Sequence, residues 1–233
     1  MANLKEIRTR ISSVTSTRQI TSAMKMVSAA RLRKAQDAIV KLRPYAEKLQ
    51  EILGSISDSL KADEDNVYTR EKELNKILLV VVTSNRGLCG AFNSSVIRKA
   101  VIAANHEYHN LLKKGSLDFY CIGKHGNDFF TKKGYQVVGS NNELFDDLTY
   151  ENVAVVAQEI MDQFKDSTYD RIEIIYNQFK NAAVQVLTKE QFLPVKVEEE
   201  ENEKEKEKGI LTSFTDYIFE PSKEYIVKEL IPK

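Results

Sequence analysis

The chain has 233 residues, of which 42% are hydrophobic and 29% charged, a content that supports a packed core and excludes wholesale disorder. Lys plus Arg and Asp plus Glu each number 34, so the net charge is zero, which argues against a simple nucleic-acid binder. The balance hides an asymmetry. Residues 1–50 carry eleven Lys or Arg against only Glu6, Asp37 and Glu47, and the remaining residues offset that local excess of eight positive charges. The two cysteines, Cys89 and Cys121, have neither metal-ligand spacing nor enough partners for a disulfide framework, so the chain reads as one of a reducing compartment. No apolar run is long enough to span a membrane, and Met1–Glu6 lacks the apolar stretch of a signal peptide. An Arg-rich, acid-poor start also suits a mitochondrial transit peptide, but the sustained repeat described next argues against one.

From Leu4 to Leu60 a heptad can be followed slot by slot: Leu4, Ile7, Ile11, Val14, Arg18, Thr21, Lys25, Ser28, Leu32, Ala35, Ile39, Leu42, Ala46, Leu49, Leu53, Ile56, Leu60. All but four of these are apolar, which predicts one long coiled-coil helix, roughly 85 Å at 1.5 Å per residue. Pro44 removes one backbone donor and is expected to kink or loosen it. The four polar slots, Arg18, Thr21, Lys25 and Ser28, are consecutive. They read either as a weakened patch of the seam or as a stretch that meets something other than an ordinary second helix.

A polar linker over 63–75 precedes alternating strand and helix signals over 76–197. Lys76–Thr83 reads as a strand buried on both faces. Ser94–Leu112 reads as a helix, Leu117–Ile122 as a strand, Asn127–Lys133 as a short helix and Tyr135–Val138 as a third strand. Tyr150–Phe164 follows as a helix, then Arg171–Phe179 and Val184–Thr188 as strands. This order predicts an α/β class: a long N-terminal coiled-coil helix plus a Rossmann-like, mainly parallel sheet domain. Residues 198–209 are a low-complexity acidic loop, and 210–233 are aromatic-rich and end in the start of a helix.

The sequence offers no catalytic constellation. His106 and His109 stand three apart, where the zinc-protease motif needs four, and read as a surface helix pair. Thr83–Asn93 sits where α/β folds bind phosphates, but it matches neither glycine-rich phosphate motif. Gly123-Lys124-His125-Gly126 is another strand-to-helix turn without that spacing. Cys89 has no neighbouring base and is expected to be a small buried group. No metal ligands, cofactor-binding residues or paired carboxylates stand out.

The residues that remain point to a family. Lys5-Glu6-Ile7-Arg8, Arg10-Ile11, Ser13-Val14, Gln19-Ile20-Thr21 and the run Ala23–Gln36 are followed by Arg43-Pro44-Tyr45, Thr83–Gly90 and Asp216–Pro221. Together these closely resemble the gamma subunit of F-type ATP synthases, in register over the whole chain. The resemblance implies a central rotor shaft whose N-terminal helix rises into the bore of a hexamer of alpha and beta subunits. There Arg8, Arg18, Gln19, Met24, Lys25, Met26, Arg31 and Arg33 would meet the hexamer. It also implies a foot, with Arg43, Tyr45, Tyr217, Phe219 and Glu220 near the c ring and the epsilon subunit. Proton flow would turn the c ring and gamma with it, changing the beta sites in turn. The subunit would itself be non-catalytic, carry no cofactor and form no homo-oligomer. It would be peripheral, on the cytoplasmic face of a bacterial inner membrane, as the direct start at Met1 also suggests. The departures are Asn85 where the family has Asp, Ala91 where Gly is common, and a chain that stops before the family's long C-terminal helix, as a fragment or truncation would. The rival reading is a small α/β nucleotide-binding protein with a coiled-coil arm.

Overall fold

The computed structural model describes residues 3–62, 67–70 and 72–195. The chain divides into two units, residues up to Ser55 and residues from Ile56 on. Helix α1 spans Leu4–Ala62 and continues as helix through Pro44. Asn3 opens it, its carbonyl accepting from the amides of Glu6 and Ile7 at 2.8 and 3.1 Å. Hydroxyl residues that would otherwise compete with the helix are satisfied within it. The side chains of Thr9, Thr15, Thr17 and Thr21 each donate to the carbonyl four residues earlier, at 2.6 to 3.0 Å.

The second unit is an α/β domain around a five-stranded sheet, in the order β3-β2-β1-β4-β5. Strands β1 (Ile77–Val82), β2 (Leu117–Ile122), β3 (Val137–Asn141) and β4 (Arg171–Phe179) are parallel. β5 (Gln185–Leu193) runs antiparallel to β4. Its reversal follows from the connection: 180–184 is far too short for a crossover helix, and Asn181 closes it as a turn by accepting from the Val184 amide at 2.8 Å. The sequence pattern placed this strand at Val184–Thr188; pairing with β4 carries it on to Leu193.

Each face of the sheet has its own core. On one face Ile77, Leu79, Val81, Leu117, Phe119, Cys121 and Ile175 pack under α2 (Phe92–Ile102), α3 (His109–Lys114) and α4 (Lys124–Lys132). Phe119 and Phe130 stack there with centroids 4.4 Å apart. On the other face Leu78, Val80, Tyr120 and Ile172 meet Val156, Ile160, Met161 and Phe164 of α5 (Tyr150–Lys165), whose N-cap is Thr149.

Where a single helix was expected over Ser94–Leu112, α2 passes into a π-turn at Ala103–Glu107 before α3 begins. The Tyr108 amide reaches back five residues to the Ala103 carbonyl at 3.0 Å. The extra residue brings the buried Tyr108 hydroxyl to Glu173 Oε1 at 2.5 Å, so a tertiary contact overrides the local repeat. α4 starts at Lys124, three residues earlier than its apolar spacing indicates, because its first amides are capped by residues some forty positions away in sequence. β3 starts two residues later than expected, since Tyr135 turns its ring onto Phe119 and Phe130 instead.

The two faces carry buried charge clusters of the same composition. On the α5 face Asp118 accepts from Tyr169 at 2.8 Å and pairs with Lys76 at 3.1 Å, and the Lys76 ammonium lies 5.0 Å from the Tyr169 ring centre. On the α2 face Glu173, Tyr108 and Lys189 repeat the pattern, with the Lys189 ammonium 5.3 Å from the Tyr108 ring centre.

Candidate partner-binding surface

The eight α1 residues assigned to a partner are all exposed. Their spacing on a helix of 3.6 residues per turn divides them into three stripes. Arg18 and Lys25, seven apart, continue the heptad seam. Arg8, Gln19, Met26 and Arg33 share a second side. Met24 and Arg31, again seven apart, hold a third. A partner that touched all eight would have to surround the helix. The seam residues Leu4, Ile7, Ile11, Val14 and Leu32 are exposed as well. The ion pair formed near the start of the helix joins Arg10 to Glu6 at 2.8 Å. Arg8, Arg18, Lys25, Arg31 and Arg33 make no ion pair or side-chain hydrogen bond among the described residues, so their charge faces outward unspent.

Arg43 and Tyr45 lie further along the same helix, both exposed. Tyr217, Phe219 and Glu220, the other half of the expected foot, fall outside the described residues, as does the acidic loop from 198.

The strand-to-helix turns where a phosphate would bind are filled by the chain itself. Asn85 Oδ1 accepts from the Lys124 amide at 2.9 Å, Thr83 Oγ1 from the Gly126 amide at 2.9 Å, and the Ser84 carbonyl from the His125 amide at 3.3 Å. The first donors of α4, the groups that would hold an anion, are thus spent on the β1–α2 loop. Gly123 makes the close approach possible. Its φ is +103°, and a Cβ there would lie 2.1 Å from the Thr83 carbonyl oxygen. Between β1 and β4, where the strand order reverses, Asn177 Nδ2 donates to the Phe92 carbonyl at 2.9 Å. The same loop is braced from below by Asn93, which accepts from the Ser84 amide at 2.9 Å and donates to Cys89 Sγ at 3.2 Å.

That loop corrects one expectation: Cys89 is exposed, and the buried thiol is Cys121. The apolar neighbours of Cys89 belong to a turn that leaves the sheet, so its side chain is bound by Asn93 at the surface instead of packing in the core. Leu88, in the same turn, is fully exposed (100%) at the loop tip with a left-handed φ of 61°. A large apolar residue between glycines in a turn was the signal available for it. Among the described residues, no group of His, Cys, Asp and Glu is arranged to hold a metal ion.

Solved structures share this arrangement. The central stalk of the Tetrahymena thermophila mitochondrial ATP synthase matches with a TM-score of 0.59 at 23% identity, covering 91% of this chain and 86% of that one. The rotor of the Euglena gracilis mitochondrial enzyme gives the same TM-score at 20% identity, over 97% and 78% of the two chains. The class is therefore a central-stalk fold, a long helix joined to an α/β domain. The family pattern described as ATP synthase matches residues 3–233. The ATP synthase gamma chain of Flavobacterium johnsoniae is 53% identical over the whole chain, and that of Cytophaga hutchinsonii 49%, the alignment spanning 77% of each relative's length. The chain belongs to the ATP synthase gamma chain family.

Proposed function

We propose that the chain is the central stalk of an F-type ATP synthase, turning with the c ring and coupling proton flow to ATP synthesis or hydrolysis at the sites of the alpha and beta subunits. The observation that carries this reading is the exposed, cationic and partly apolar surface on three sides of α1, which suits a helix enclosed by other subunits better than one paired with a single neighbour. The polar seam from Arg18 to Ser28 fits the same enclosure. Within it Arg8, Arg18, Gln19, Met24, Lys25, Met26, Arg31 and Arg33 meet the alpha–beta hexamer, while Arg43 and Tyr45, with Tyr217, Phe219 and Glu220, engage the c ring and epsilon. Coupling then works by differential contact: a shaft presenting different sides to successive beta subunits shifts each between conformations of unequal affinity.

In this reading the subunit is not itself catalytic and needs no cofactor, in keeping with the self-capped turns of the α/β domain. It sits peripherally on the cytoplasmic face of a bacterial inner membrane. Among the described residues no helix is long and apolar enough to cross a membrane. The test is assembly. The full-length subunit, mixed with alpha and beta subunits, is expected to form a complex that hydrolyses ATP, and the isolated chain to bind no nucleotide. Saturable nucleotide binding by the isolated chain, with no complex formed, would replace this reading with that of a nucleotide-binding protein carrying a helical arm.

A further inference from the structure

Strand β5 is the last described element, and past Val195 the chain runs on into the stretch that holds Tyr217, Phe219 and Glu220. Among the described residues it has one neighbour in the sheet, β4, and Val184, Val186 and Leu187 near its start stay exposed, so apolar burial holds that half weakly while Leu193 is buried at the other end. A single ammonium does more. Lys189 of β5 bonds the carboxylate of Glu107, the last residue of the π-turn. It also lies 3.2 Å from Glu173 Oε2 on β4, within ion-pair range. Glu173 is 5% exposed; its Oε1 is taken by the Tyr108 hydroxyl at 2.5 Å, and its Oε2 has no aligned hydrogen-bond donor. Lys189 is therefore the cation in ion-pair range of this buried carboxylate, and it ties three elements together at one point.

We propose that Lys189 is a positioning residue: its ammonium latches β5 to β4 and to the π-turn, and so fixes the root of the segment through which the domain engages the base of the rotor. Removing the ammonium leaves Glu173 buried without its ion-pair partner, which is costlier than losing a surface pair. Removing Lys189 and the Glu173 charge together avoids that cost. The functional half of the proposal rests on the central-stalk reading; the latch does not.

The test uses the full-length subunit assembled with its partners, carrying Lys189→Met, Lys189→Arg or Lys189→Met with Glu173→Gln. Hydrogen exchange of the β5 amides is expected to accelerate by about tenfold or more in Lys189→Met, with the β1 amides unchanged. Lys189→Arg is expected to restore slow exchange, and the double variant to recover part of it. ATP-driven proton pumping is expected to drop in Lys189→Met at retained ATP hydrolysis, and to return in Lys189→Arg. Should Lys189→Met fail to fold, Glu107→Gln removes one arm of the latch at the surface and is expected to accelerate β5 alone. Unchanged β5 exchange in the variants overturns the latch. Faster β5 exchange with full pumping overturns the positioning role and leaves the central-stalk reading untouched, whereas a wild-type subunit that fails to assemble counts against that reading alone.

Discussion

Leu88 holds a conformation that costs a non-glycine residue about 1–2 kcal/mol and buries none of its side chain. No contact of its side chain among the described residues repays that cost. Leu88→Gly is therefore expected to leave the melting temperature of the chain unchanged or slightly higher, because relief of the left-handed backbone opposes the added freedom of the unfolded glycine. A clear fall in melting temperature would mean that the side chain has an intramolecular role. The two thiols make a second test. Cys89 is open to reagent, whereas Cys121 is fully buried and burial pushes its thiol up to about 12. A maleimide at pH 8 is expected to label Cys89 in the native chain and Cys121 only after unfolding.

The same burial sets the alkaline limit of the fold. Burial first, and Glu159 second, push the Tyr120 phenol up to about 12, and the phenols of Tyr108 and Tyr169 are also raised, chiefly by burial. A group whose folded pKa is raised binds its proton more tightly when folded. Its contribution is complete below the unfolded value and is lost as pH climbs towards the folded one. Lys189, raised by Glu107 and Glu173 against the opposing effect of burial, acts in the same direction. The denaturation midpoint is expected to hold near neutrality, to fall from about pH 9 as Cys121 begins to contribute, and to fall more steeply above about pH 10 with the tyrosines. Midpoints measured from pH 7 to 12 check this, and a flat profile above pH 10 would contradict it.

Among the elements, α4 depends most on one position. Gly123→Ala drives a methyl group into the Thr83 carbonyl and is expected to cost more than about 3 kcal/mol or to prevent folding of the α/β domain, as read by urea denaturation. On α1 the expected effect is the reverse, since Arg18 and Lys25 make no ion pair or side-chain hydrogen bond among the described residues. Arg18→Glu or Lys25→Glu is expected to leave the helical content and the α/β domain unchanged while weakening assembly or coupling with the alpha–beta hexamer. Variants that assemble and couple like the wild type in low salt would remove the electrostatic assignment. This contrast also explains what could be read from the sequence. The heptad from Leu4 and the apolar run Ile77–Val82 each declare their element through side chains that repeat along the chain. β2 and β4 were legible for the same reason. The start of α4, the π-turn and the exposure of Cys89 were not, because each is decided by a distant partner: Thr83 and Asn85 for the first, Glu173 for the second, Asn93 and the turn around it for the third. The α1 residues proposed to meet a partner could be named from the family resemblance, and the helix places them on three sides.

For the whole molecule, the division of charge between a basic N-terminal helix and an acidic remainder predicts salt-sensitive association. The exposed cations of α1 are screened over about 10 Å at 0.1 M salt, so the rate of association with the alpha–beta hexamer is expected to fall steeply between low and moderate ionic strength. The exchange rate of the folded core should hardly change over the same range. Orientation has its own test. A cysteine at Tyr45 is expected to crosslink to the polar loops of the c ring or to epsilon, and one at Met24 to the alpha or beta subunits. A Tyr45 crosslink high in the hexamer bore would reverse the placement of the foot.

The π-turn has a consequence for how this stretch tolerates length change. It accommodates one residue more than a regular helix would between α2 and α3. Straightening it into a regular α-helix with no residue removed would swing everything beyond by about 100° around the axis, whereas deleting a single residue of Ala103–Glu107 would let the two segments fuse with the residues beyond kept on their present side. In the first case Tyr108 would leave Glu173, and Glu107 would leave Lys189. A second residue inserted here would therefore be felt at the far edge of the sheet, while the same change in the loop after Phe179 would stay where it was made.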